Sequence, residues 1–333
     1  MTQEKPLVLE IRRACRAAAR LVICFAGISG SGKTRTAIEF AYGLAGYDVD
    51  KMGFLDAENK RGELYSDVLK SHAEKPVEQT WWHGDLRAPF SPARYIDAIK
   101  QFEAAGVEVL IIDSATHEWE GDGGAQDIAE NNKNPKSGKL NWAKAKSEHK
   151  KFMSALLQSN MHIVVCTRAR EKTREYRDPK DNKMKVESLG IQPIQEKNFM
   201  FEMTASVMMF AEGQVQQVMK CPAELQPFLA RQQGYITSAD GYAVRQWVEG
   251  GGKVDQKVEK LRNALVQEAE GGVKHVISCW EKFKPAQQKA VGQAFFETVK
   301  ASAAEYDDQR RQEEAAAAGS ADAADLSRDL ADE

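Results

Sequence analysis

Residues 21–34 read Leu21-Val22-Ile23-Cys24-Phe25-Ala26-Gly27-Ile28-Ser29-Gly30-Ser31-Gly32-Lys33-Thr34. The first six residues form a continuous apolar run, the pattern of a strand buried on both faces of a sheet. The next eight fit G-x-x-x-x-G-K-[ST] with nothing missing, and a helical segment follows from Lys33 to Leu44. Strand, glycine-rich turn and helix in that order make a cradle for phosphate. The glycines let successive N–H groups turn inward on phosphate oxygens, and the helix N-terminus adds partial positive charge. Gly27, Ser29, Gly30, Ser31, Gly32, Lys33, Thr34 and Arg35 are the candidate nucleotide-binding residues. Lys33 is placed to reach the β- and γ-phosphates, and the Thr34 hydroxyl to ligate Mg²⁺.

Working outward, Met52–Asp56 reads as a second strand, Tyr95–Ala105 as an amphipathic helix and Val107–Asp113 as a third strand ending in a carboxylate. Trp142–Gln158 reads as a helix feeding the strand Met161–Thr167. Strands alternating with helices predict a mostly parallel sheet flanked by helices, an α/β core over residues 21–250. Val207–Phe210 and Gln214–Met219 are expected as closing strands, and Gly250-Gly251-Gly252 as a hinge. Residues 1–20 are expected to hold a basic helix (Leu7–Arg20), and 254–311 a C-terminal helical appendage. Trp81-Trp82-His83 reads as core plus surface.

With 333 residues, 42% hydrophobic and 29% charged, the chain can bury a sizeable core. Five cysteines, odd in number and without C-x-x-C spacing, read as reduced thiols. No apolar run nears the roughly 20 residues of a membrane span, so a cytoplasmic protein without membrane contact is expected. The formal net charge of −3 hides an asymmetry. The segment 312–333 holds seven acids and one base, Arg328, and leaves a body with 45 bases against 42 acids. Its Ala/Asp/Glu/Ser composition predicts a disordered acidic tail.

A phosphate cradle of this kind needs a carboxylate at the end of a neighbouring buried strand to hold magnesium through water. Val109-Leu110-Ile111-Ile112-Asp113 supplies Asp113. Ser114 follows it, whereas AAA+ ATPases usually place a glutamate there, which weighs against that type. The base that activates water must then lie elsewhere. Glu58, in Phe54-Leu55-Asp56-Ala57-Glu58, is the first candidate, and Glu118 is the second; an ion-pair role with Lys60 or Arg61 is the alternative for Glu58.

At these residues the sequence resembles the RecA family, in which a strand ends in an Asp-Ala-Glu-like segment and a later one in Asp-Ser. FLDAE and VLIIDS occur here in that order, and the resemblance extends over residues 18 to 220. It is closest to the RecA-like ATPases of bacteriophages that accompany single-strand annealing and recombination. That resemblance implies a RecA-like P-loop core, ATP and Mg²⁺ as cofactors, and Glu58, Lys33 and Asp113 as catalytic residues, with Thr34 and Asp113 holding the metal. It also implies a homo-oligomer, ring or filament, that binds single-stranded DNA, an annealing or single-strand-binding protein as partner, and the bacterial host cytoplasm as location.

By the same correspondence two loops face the DNA, residues 118–141 and 168–198, both expected without regular structure. The second carries Arg168, Arg170, Lys172, Arg174 and Arg177, interleaved with Tyr176. Clustered cations reward a phosphate backbone, and an aromatic ring stacks on an unpaired base. Acids among them, such as Glu171 and Glu175, keep a merely solvated loop as the alternative. Lys197 is a candidate finger reaching a neighbouring subunit's γ-phosphate, as are Arg168 and Arg170. Two other functions stay open: a helicase loader or motor, and a nucleotide-gated recruitment protein that hydrolyses little.

Overall fold

A computed structural model describes residues 16, 19–72, 75–134, 137–177, 183–231, 233–250 and 256–329, with 256, 259 and 313–329 as backbone alone. The basic helix expected over Leu7–Arg20 falls almost wholly outside the described residues, as do Gly251 and Gly252. The chain divides into two compact units, a core of residues 19–250 and a second that contains the helices after residue 251.

The core runs β1 (Val22–Gly27), α1 (Lys33–Leu44), β2 (Met52–Asp56), β3 (Trp82–Asp85), α2 (Pro92–Ala104), β4 (Val109–Asp113), α3 (Thr116–Glu120), α4 (Ala125–Asn131) and α5 (Trp142–Gln158). It continues with β5 (His162–Arg177), β6 (Met184–Pro193), α6 (Phe199–Glu202), β7 (Ala205–Phe210), β8 (Val215–Lys220), α7 (Gln226–Leu229) and α8 (Ser238–Glu249). The sheet order is β3-β2-β4-β5-β1-β7-β8, with β6 paired to β5 off this path. Every pairing from β3 to β7 is parallel, and β8 closes the edge antiparallel to β7.

The apolar runs form this sheet because both of its faces are covered. Side chains alternate across a strand. Ile23, Phe25, Val109 and Ile111 therefore face one core, while Val22, Cys24, Leu110 and Ile112 face the other. Phe40, Leu44, Val244 and Val248 from α1 and α8 close the first; Tyr95, Ile99, Phe152 and Leu156 from α2 and α5 close the second. Burying each such large side chain contributes about 2 kcal/mol. α1 and α8 cross in backbone contact at two glycines. A Cβ at Gly43 would lie 1.7 Å from the Ser238 carbonyl oxygen, and one at Gly241 2.0 Å from that of Phe40.

Three differences from the sequence reading have physical causes. Residues 168–198 do not form a loop without structure. β5 continues past the sheet and pairs antiparallel with β6, from Ala169↔Pro193 to Arg177↔Met184, as an exposed arm. Thr173, Tyr176 and Val186 suit a strand, but the surrounding charges hide the alternation. Residues 118–141 hold most of α3 and all of α4, seated by Ala125, Ala129 and Ala145 beneath stacked Trp119 and Trp142. Small alanines gave little apolar signal. β3 is an edge strand with no apolar run, recognisable only by its register with β2; Trp81 is buried and Trp82 exposed.

The second unit holds α9 (Gln256–Ala269), α10 (Val273–Glu281), α11 (Pro285–Val291) and α12 (Gln293–Asp329). Its core gathers Leu265, Val276, Val291, Phe295 and Val299, with Trp280 stacked on Phe296 at 4.5 Å. The α12 backbone runs to Asp329. The many alanines there favour helix. No described helix is long and apolar enough to cross a membrane.

Candidate functional site

Parallel strands deliver their C-terminal ends to one edge of the sheet, where open α/β sheets bind ligands. β1 ends there in the cradle, β2 in the Glu58 turn, β4 in Asp113 and the sheet part of β5 in Arg168. The registers Gly27↔Arg168 and Asp56↔Asp113 put these ends level.

The cradle has the form that phosphate requires. The first bond of α1 runs from Thr36 N–H to the Gly32 carbonyl at 3.0 Å, so the N–H groups of Lys33, Thr34 and Arg35 have no bond within the helix. Ser31 carries a buried hydroxyl with no hydrogen-bond partner among the described residues. The Lys33 ammonium is buried and rests on the loop's own Ile28 carbonyl at 2.9 Å. Gly32 sits at φ 85°, and a Cβ there would lie 2.5 Å from the Glu212 carbonyl oxygen. Orphan donors, a buried hydroxyl and a cation on one concave loop fit a polyphosphate.

Thr34 and Asp113 meet directly, the hydroxyl donating to Asp113 Oδ2 at 2.5 Å. The pair would hold Mg²⁺, which supplies charge neutralisation at the phosphates when bound. Burial pushes the Asp113 carboxyl up to about 6; Glu58 and Asp56 add to the rise, while the Thr34 hydrogen bond and Lys33 oppose it. The sign for stability follows. A carboxyl raised on folding contributes stability below its unfolded value, near 4, and loses it as pH climbs through about 6, by up to about 3 kcal/mol. Without nucleotide, denaturant unfolding of Asp113→Asn should show a flatter stability limb between pH 4.5 and 7 than the wild type. Parallel curves would mean that Asp113 is not held in this way.

Glu58 is carried by a turn that Asp56 builds. Asp56 is fully buried at the end of β2, and its two oxygens accept the N–H groups of Glu58 and Gly62, each at 2.7 Å. Ala57 N–H donates to the Asp113 carbonyl at 2.8 Å, which lays the turn against β4. The Glu58 carboxylate then accepts from Ser114 Oγ at 3.0 Å and from Arg168, Nε to Oε1 at 2.7 Å and Nη2 to Oε2. Burial raises this carboxyl, but the Arg168 hydrogen bonds and charge, with Ser114 and His117, outweigh burial and hold it below the usual range. Lys60 pairs with Glu63 instead, and Arg61 stands 3.8 Å from Glu58 Oε2.

Glu118, the other candidate base, is fully buried with both oxygens on His149 Nδ1, at 3.1 and 3.0 Å. Burial raises its carboxyl, partly offset by His149 and Gln195. The bond belongs to the packing of α3 on α5.

The cations of the second segment separate. Arg168 pairs with Glu58 in the site, and Arg170 pairs with Glu120 at 3.3 Å. Arg174 pairs with Glu187 across the arm and lies 5.9 Å over the Tyr176 ring. Lys172 and Arg177 are exposed on β5, Arg177 opposite Met184. Lys197 is exposed in the turn before α6. Sequence reasoning missed Asp56 as the brace of the turn and Ser114 as a donor to Glu58. Their place inside the FLDAE and VLIIDS segments was the available signal.

The strand–cradle–helix unit and the level carboxylates at one edge of a parallel sheet define a P-loop ATPase domain. A family model described as "AAA domain" matches residues 19–223, and the chain belongs to that family. In the sequence, Ser114 after Asp113 weighs against the AAA+ type, which stays open as the alternative; the family carries the AAA description. Among solved structures, a KaiC-like protein from the hyperthermophilic archaeon Pyrococcus horikoshii OT3 is similar at 15% identity over 56% of this chain and 90% of that one, with a TM-score of 0.27. No curated protein matches the chain.

Proposed function

We propose that the protein is a Mg²⁺-dependent ATPase of RecA-like type that binds single-stranded DNA in recombination or replication of the phage kind. The meeting of Lys33, Thr34, Asp113 and Glu58 at one sheet edge carries the hydrolytic part. In it, Lys33 and the cradle amides bind the triphosphate, Thr34 and Asp113 hold the metal, and Glu58 takes the proton of the attacking water. Such ATPases work as rings or filaments, in which Lys197 would reach a neighbouring copy's nucleotide. An annealing or single-strand-binding protein is the partner this role needs, in a bacterial host's cytoplasm.

The arm supports the DNA part. Arg174, Tyr176 and Lys185 share one of its faces, with Glu187 as the acid among them. Cations beside an aromatic ring suit a single strand. Changing Lys172, Arg174 and Lys185 together to alanine should weaken oligothymidylate binding. It should also flatten the dependence of log affinity on log salt by about 0.7 per lost contact, roughly 2 in all. An unchanged slope would leave the arm as a solvated hairpin. The AAA description of the family favours a second reading, a helicase loader or motor, and ATP-driven unwinding of a forked duplex would select it.

A further inference from the structure

The chain leaving β4 serves both halves of the site, with Asp113 on the metal side and Ser114 on the Glu58 side. It turns inside the protein, where backbone polar groups need partners. The Asp113 carbonyl accepts from Ala57 N–H at 2.8 Å, and Ala115 N–H donates to the Cys166 carbonyl at 3.0 Å. Neighbouring strand ends thus hold those two groups. The Ser114 carbonyl lies between them and is held by a side chain: Tyr95 of α2 donates its hydroxyl to it at 2.9 Å.

Tyr95 and Ser114 are both fully buried. The Tyr95 ring packs edge-on against Phe152 of α5, with centroids 5.5 Å apart. Burial pushes the phenol well above its ordinary range, and the charges of Glu118, Glu58 and Asp113 add to the rise, so the hydroxyl keeps its proton and donates. Packing alone asks only for a phenylalanine ring here. The oxygen adds one contact, and that contact is to the residue whose own hydroxyl lies on the base.

Ser114 Oγ donates to Glu58 Oε1 at 3.0 Å and lies 3.3 Å from His117 Nδ1. Of the groups on the Glu58 carboxylate, Ser114 comes from the adjacent strand and is fully buried, whereas the Arg168 side chain is 43% exposed. The serine is the fixed reference for the carboxylate. A peptide unit is planar, so a bond that fixes the Ser114 carbonyl also fixes the direction in which its Oγ is presented.

We infer that Tyr95 is a positioning residue for ATP turnover: through the Ser114 carbonyl it holds the Ser114 hydroxyl on Glu58 and so orients the base. The inference rests on the reading of Glu58 as base. It assigns a task in the site to a side chain of α2, an element that brings no residue to the cradle.

The test is MgATP turnover and thermal unfolding of the full chain. The proteins are wild type, Tyr95→Phe, Ser114→Ala, the Tyr95→Phe/Ser114→Ala pair, Phe152→Leu and Glu58→Gln, compared at a temperature where each is folded. Tyr95→Phe removes one oxygen and keeps the ring. It should lower kcat about tenfold and leave KM for ATP within about twofold, because the cradle is untouched. The double variant should be no slower than Ser114→Ala, since the tyrosine acts through the serine. Phe152→Leu loosens the same packing without touching the hydroxyl; it should lower the melting temperature and keep kcat near wild type. Wild-type kcat in Tyr95→Phe beside an inactive Glu58→Gln would overturn the positioning role alone. So would a drop in kcat that Phe152→Leu reproduces, or a double variant slower than Ser114→Ala by the full tyrosine factor. Full turnover by Glu58→Gln would instead show that the reading of Glu58 as base had failed, and the inference with it.

Discussion

Lys33→Ala should reduce kcat/KM for ATP by at least about 100-fold, with MgATP binding lost or severely weakened. The ammonium is buried at the start of α1 and, among the described residues, has the Ile28 carbonyl as its partner, so it is held ready beside the cradle. A hydrogen bond to a charged group is worth about 1.5–3 kcal/mol, and phosphoryl transfer gathers charge on the oxygens this lysine would touch. The variant should keep its fold, because no packing in either core depends on the ammonium. Steady-state hydrolysis and titration with a fluorescent ATP analogue measure the effect. Wild-type turnover in a folded Lys33→Ala protein would remove the ATPase reading altogether.

Glu58→Gln should bind MgATP normally and lose about 10²- to 10⁴-fold in kcat, the usual contribution of a general base. The amide keeps the shape that Ser114 and Arg168 contact but cannot take up a proton. Glu118→Gln should act on a different quantity. Its carboxylate is buried against His149, so the change should lower the melting temperature and spare most of the turnover. The two variants are compared in one assay, with thermal unfolding alongside. The opposite ranking, with Glu118→Gln inactive and Glu58→Gln active, would move the base to the β4 side.

Much of the core was legible because its signals are local. The ranges of α1, β2 and α5 agree with those read from the sequence, since apolar period and flanking turn residues set them. The cradle was legible for a stronger reason: few arrangements of glycine, lysine and threonine between a buried strand and a helix serve anything but phosphate. β3 and the arm were not legible. An edge strand need not be apolar, and an exposed hairpin alternates charges on both faces, so neither leaves a hydrophobic trace.

The sequence by itself determined the parallel core and the phosphate cradle, and it put forward Thr34 and Asp113 for magnesium and Glu58 or Glu118 as base. Each of these is written within a single strand and the turn that ends it. Only the tertiary structure decided how the charges pair. Arg168 lies 110 residues from Glu58. In the sequence it is one of many cations in a basic stretch, and it meets the glutamate because β5 lies between β1 and β4 in the sheet. Glu118 went to His149 for the same reason: α3 packs where α5 can reach it. Ion pairs of this kind depend on which strands become neighbours, and strand order is set by the packing of the whole core, not by any local pattern.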